Sequence, residues 1–155
     1  MPNKILILER PLVITHIYNK LCEAKEKNID VTTEFSCSLN DISIPDILFV
    51  EIIGNLLDNA IEEVEKDVKR EKVIFSILEN QDEVCISVSN EHIKIPYEQY
   101  GQFFAEGYST KGESRGIGLP YVKKIVENYS GRIDIGNVEL DGRNYFTIRI
   151  YFKRK

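Results

Sequence analysis

Three polar residues sit four apart in one segment of the chain: Glu51, Asn55 and Asn59. On a helix, four residues advance the side chain by about 400°, so the three project from nearly one face. Asn is a mediocre helix former, and two in mid-helix beside Asp58 ask for a chemical reason that Glu or Lys on a hydrated face would not need. A second group lies about fifty residues on. Tyr108-Ser109-Thr110-Lys111-Gly112 supplies hydroxyls, a cation and pliable backbone, and Arg115-Gly116-Ile117-Gly118-Leu119-Pro120 runs into a helix. Amide groups at a helix start, next to glycines that allow close approach, make an anion site. Lys111 and Arg115 add the point charges a polyphosphate would need. Two common phosphate motifs are absent: Gly112 to Gly116 lacks the GxxxxGK[ST] spacing, and Gly116-Ile117-Gly118 has no third glycine and follows no strand.

The elements that must position these groups are legible from periodicity. Leu12, Val13, Ile17, Leu21 and Ala24 recur at helical spacing over Pro11 to Lys27, with Asn28 as the stop. Residues Ile29 to Phe35 alternate as a strand does, and a short strand is expected near Ile42-Ser43-Ile44. Pro45 suits the start of a long helix running to about Val68, with Phe49, Ile52, Ile53, Leu56, Ala60 and Val64 as its apolar stripe. Lys72 to Leu78 and Glu83 to Asn90 read as a hairpin about Asn80-Gln81-Asp82. Pro96 to Phe104 reads as a short helix or turn, and Ala105 to Gly118 as a mobile glycine-bearing loop. A helix from Leu119 to Tyr129 ends at Gly131, and Arg132 to Val138 and Arg143 to Phe152 form strands joined at Asp141-Gly142. Strands and helices segregate, which gives an α+β fold: a two-layer sandwich with a mixed, mainly antiparallel sheet and helices on one face.

Composition narrows the function classes. The 155 residues suffice for one domain. Twenty-five acidic against twenty basic residues, a formal charge of −5, argue against a nucleic-acid partner. No apolar run approaches the ~20 residues of a membrane span, and the start of the chain is too weakly apolar for a secretory signal. Cys22, Cys37 and Cys85 form no CxxC pair, and read as small thiols of a reducing cytosol rather than disulfide or zinc ligands. His16 and His92 are too far apart in sequence to suggest a metal cluster.

The segment Glu51-Ile52-Ile53-Gly54-Asn55-Leu56-Leu57-Asp58-Asn59-Ala60 resembles the N box of sensor histidine kinases. Phe104 to Gly112 and Arg115-Gly116-Ile117-Gly118-Leu119 resemble their ATP-lid and glycine boxes. Order and separation match the superfamily shared by gyrase, a heat-shock chaperone, MutL and histidine kinases, over residues 11 to 153. The Gly-Tyr-Ser-Thr-Lys form with a short lid is similar to quorum-sensing and citrate-sensor kinases of the AgrC and CitA type. The resemblance implies a Bergerat-type catalytic domain over residues 11–155, with residues 1–10 as the tail of a linker from a dimerisation domain.

Its site residues follow by the same resemblance. Asn59 would hold Mg²⁺ bridging the phosphates of ATP, and Asn55 would help position the metal or the γ-phosphate. Tyr108, Ser109, Thr110, Lys111 and Gly112 of the lid, with Arg115, Gly116, Ile117, Gly118 and Leu119, would surround the phosphates, Lys111 also acting on the transferred group. The lid would close over bound nucleotide. Water-splitting members carry a Glu four residues before the metal-binding Asn; here that place holds Asn55, which cannot accept a proton at neutral pH. This favours transfer to a protein side chain over rapid hydrolysis.

Departures from the family pattern are also implied. Aligned on Ile95-Pro96, Asn90 stands at the place of the Asp that accepts from the adenine amino group, with His92 and Lys94 at two glycines and read as surface residues. Glu62 replaces a common basic residue. His16 lacks the acidic residue that usually follows a phosphoacceptor and reads as a packed helix histidine. The expected partners are ATP, a dimerisation and phosphoacceptor domain of the same kinase and a downstream response regulator, for a cytoplasmic domain of a membrane-anchored protein without direct membrane contact. The alternatives are a degenerate nucleotide-binding or docking module, an anti-sigma-factor-type serine kinase, and a hydrolase.

Overall fold

The computed structural model describes residues 3–67, 72–105 and 118–154. A five-stranded sheet carries the fold: β1 (Asp30–Phe35), β2 (Lys72–Glu79), β3 (Glu83–Glu91), β4 (Arg132–Leu140) and β5 (Arg143–Lys153). Its order is β1-β2-β3-β5-β4, with β1 parallel to β2 and every other pair antiparallel. Among the described residues three α-helices accompany it: α1 (Pro11–Glu26), α2 (Asp46–Glu65) and α3 (Gly118–Asn128). The sequence-derived α+β two-layer arrangement is the one observed.

Alternation builds the core. Val73, Phe75 and Ile77 of β2, Val84, Ile86 and Val88 of β3, and Phe146, Ile148, Ile150 and Phe152 of β5 are buried, as period-two spacing on one sheet face demands. Against them α2 buries Phe49, Ile52, Ile53, Leu56, Leu57, Ala60, Ile61 and Val64. This helix is apolar over much of its circumference because α1 and α3 also pack on it.

The turns obey local chemistry. Asp141 and Gly142 both have positive φ, 51° and 78°, the two-residue hairpin turn whose twist suits antiparallel strands. Asn80 closes the β2–β3 turn by accepting the amides of Asp82 and Glu83 on its Oδ1 at 3.0 and 2.8 Å. Asn28 ends α1 in the left-handed region, φ 59°.

Two expectations need correction. The left-handed residue after α3 is Ser130, φ 61°; Gly131 is required instead by close approach, since a Cβ there would lie 2.7 Å from the Phe152 ring and the Tyr151 carbonyl oxygen. The strand expected at Ile42-Ser43-Ile44 does not form. The Arg10 guanidinium takes the carbonyls of Leu39, Ile42 and Ile44 and pairs with Asp46 at 3.0 Å. With their acceptors occupied by a side chain, Ile42 and Ile44 remain buried without joining a ladder. The chain before α1 belongs to the same core, because a 3-10 turn over Asn3–Leu8 buries Ile5 and Leu8 completely.

Candidate nucleotide site

A cavity of about 370 Å³ opens between α2, the ends of β3 and β5, the segment 92–96 and the start of α3. Its size falls in the range of roughly 300–1,000 Å³ common for small-molecule sites. Leu56 and Ala60 line it from α2, Val88 from β3, Phe146 and Ile148 from β5, and Ile95 and Phe103 from the connection between β3 and α3. These form an apolar slot fit for a flat ring system. Polar groups enter at definite points: Asn59, Asn90, Glu63, Lys66, His92 and Lys94.

The wall at 92–96 is fixed by residues whose role the linear sequence does not announce. Asn137 on β4 accepts the Ile95 amide at 2.9 Å and donates to the Ile95 carbonyl at 2.8 Å and to the Tyr100 hydroxyl at 2.7 Å. Asn144 on β5 accepts the His92 amide and donates to its carbonyl, both at 3.0 Å. Phe103 stacks on Phe146 with ring centroids 5.1 Å apart.

Of the sequence-predicted residues, Asn59, Asn90, Gly118 and Leu119 line the cavity. Asn90 is nearly buried and donates weakly from Nδ2 to the Glu91 carbonyl at 3.4 Å, which leaves its Oδ1 to accept from a ligand. Asn55 is not among the lining residues; its Nδ2 donates to the Glu51 carbonyl one turn back at 2.7 Å. Tyr108, Ser109, Thr110, Lys111, Gly112, Arg115, Gly116 and Ile117, with most of the expected mobile loop, lie outside the described residues. His92, expected as a surface residue, lines the cavity, as does Lys94.

The rest of the N-box segment has structural duties. The Tyr121 hydroxyl of α3 donates to the Glu51 carboxylate, tying α3 to α2. That bond is the main cause holding the phenol above its ordinary pKa of 10.0, so it remains a donor throughout the physiological range. Asp58 pairs with Lys20 of α1 at 2.8 Å. Gly54 admits His16, whose Nε2 would lie 2.8 Å from a Cβ there. Burial, followed by the charge of Lys20, lowers the His16 pKa below its ordinary 6.5.

The family model described as histidine kinase-, DNA gyrase B-, and HSP90-like ATPase matches residues 45–154. The chain belongs to this family. The matched stretch includes every residue that lines the cavity. The chain is 35% identical over 137 residues to the sensor protein CitS of Bacillus subtilis (strain 168), covering 86% of this chain and 25% of the relative. It is 30% identical over 135 residues to the sensor protein PhoQ of Escherichia coli (strain K12), covering 83% and 25%. It thus spans about a quarter of the length of these relatives. The nucleotide-free catalytic domain of the histidine kinase ThkA has the same fold, with a TM-score of 0.72 at 21% identity over 96% of this chain and 95% of that one. No helix among the described residues is long and apolar enough to cross a membrane.

Proposed function

We propose that this domain binds ATP with Mg²⁺ in the cavity and donates the γ-phosphoryl group to a histidine on a dimerisation domain of the same kinase, from which it passes to a response regulator. In this reading residues 1–10 continue from that dimerisation domain, and the domain works on the cytosolic side of a membrane-anchored sensor. The observation that carries it is the donor set: a carboxamide at Asn59, an apolar slot with an inward acceptor at Asn90, and the first turn of α3 all face one cavity. The residues fit the ligand. A carboxamide oxygen is a hard donor of the kind Mg²⁺ accepts, and the amides of Gly118 and Leu119 at a helix start suit an anion.

Asn59 would hold the Mg²⁺, which would supply charge neutralisation for the transfer. Asn55, Lys111 and the lid residues Tyr108 to Gly112 and Arg115 to Ile117 orient the phosphates in this reading. Asn55 has no basic group to activate water, which favours transfer to a protein side chain over rapid hydrolysis.

Calorimetry with a non-hydrolysable ATP analogue tests the proposal. Magnesium-dependent binding is expected, weakened at least tenfold by Asn59→Ala, the loss of one charge-assisted contact. With ATP and magnesium the isolated chain should bind nucleotide without acquiring phosphohistidine. Failure of wild type to bind at millimolar analogue, or stable self-labelling, overturns it.

A further inference from the structure

The lip of the cavity beyond Asn59 carries polar chemistry that the preceding reading leaves unused. Glu63 and Lys66 follow Asn59 by four and seven residues, so all three share one helix face. At 1.5 Å of rise per residue, Glu63 stands about 6 Å farther along α2 than Asn59. Its carboxylate is framed from two directions: Lys66 Nζ lies 3.2 Å from Oε1 and His92 Nε2 lies 3.8 Å from Oε2. His92 is itself fixed, its main chain exchanging two hydrogen bonds with Asn144 and its Nδ1 lying 2.7 Å from the Ile93 carbonyl oxygen. A ring nitrogen that close to a carbonyl donates its proton there, which fixes the ring plane beside the carboxylate.

The Lys66 pair is an exposed i,i+3 contact, but the carboxylate it holds also faces the cavity. The Glu63 and His92 side chains are each only 27% exposed, and all three residues line the cavity. A carboxylate has about four lone-pair positions and accepts only, so Glu63 can take two further donors while Lys66 stays paired with it. On a nucleotide with its metal at Asn59 and its base edge at Asn90, the part between is the sugar, and a ribose offers two adjacent hydroxyl donors.

We propose that Glu63, paired with Lys66 and flanked by the His92 ring, is a specificity-determining residue that accepts hydrogen bonds from the ribose hydroxyls of the bound nucleotide. The inference rests on the nucleotide reading of the cavity and assigns a sugar-recognising acceptor to it.

The test compares calorimetric affinities of the chain for a non-hydrolysable ATP analogue and its 2′-deoxy counterpart, both with magnesium. Wild type should prefer the ribonucleotide by about tenfold, the scale of one hydrogen bond to a charged group. Glu63→Ala should bring the two affinities together, and Glu63→Gln should retain part of the preference through its neutral acceptor. Thermal melts establish that each variant is folded. Equal affinities in wild type, or an undiminished ratio in Glu63→Ala, overturn the assignment. So does a variant that changes the preference between adenine and guanine analogues while leaving the ribose preference intact. Binding of neither analogue to wild type would instead overturn the nucleotide reading, and this inference with it.

Discussion

A carboxamide at position 90 accepts a hydrogen bond but brings no charge to it. The side chain is nearly buried and its Nδ2 is turned to the Glu91 carbonyl, so in the proposed reading Oδ1 is the atom left for a base amino group. Asn90→Asp should therefore tighten binding of an ATP analogue by about fivefold, roughly 1 kcal/mol of charge assistance; calorimetry on the two proteins checks it. Position 90 was legible in the sequence because Ile95-Pro96 fixes its place relative to a known box. Asn59 was legible because a helix interior rarely gains from asparagine. Asn137, Asn144 and Glu63 were not, since their roles depend on strand register and helix phase. Only when β4 and β5 pair, with Asn137 opposite Phe146, does the former reach the Ile95 backbone. That the partly exposed His92 also lines the cavity was hidden for the same reason: its neighbour Glu63 lies on another element.

At the scale of elements, the contact of α1 with α2 turns on a missing side chain. Gly54 faces His16 Nε2 so closely that a Cβ would approach to 2.8 Å, and that nitrogen has no hydrogen-bond partner among the described residues. Gly54→Ala should cost about 1–3 kcal/mol, the usual range for overpacking, read from denaturant unfolding. The same change made on His16→Ala should cost markedly less, a non-additivity that identifies the clash. The lowered His16 pKa adds a pH dependence. The folded state disfavours the charged ring, so stability is full above about 6.5 and falls as pH drops through that value toward the folded pKa; His16→Ala should flatten that decline in melts taken from pH 7.5 to 5. Helices and strands were readable from their periods, and the two-residue turn from Asp141-Gly142. The false strand at 42–44 shows the limit of period reading: alternating burial is necessary for a strand, but the carbonyls must also be free to pair.

Across the whole molecule the cavity gathers α2, β3, β5, the segment 92–96 and α3, so a bound nucleotide links parts far apart in sequence. At about one hundred times its dissociation constant, an ATP analogue with magnesium should add ~2.7 kcal/mol to folding and raise the melting temperature by about 5–10 °C for a chain of this size, measured by scanning calorimetry. The Arg10 guanidinium, already seen to serve three carbonyls and Asp46, also lies over the Phe49 ring at 4.7 Å. One planar, five-donor group therefore does for residues 39–46 what a neighbouring strand does elsewhere, and a lysine could not fan its donors to match. The family signature begins at residue 45, yet the fastening of that first loop comes from residue 10, with Ile5 and Leu8 wedged in beside it. A version trimmed to the signature would keep every cavity-lining residue and lose the clasp that holds the first turn of α2, so the unit that folds is longer than the unit that is recognised.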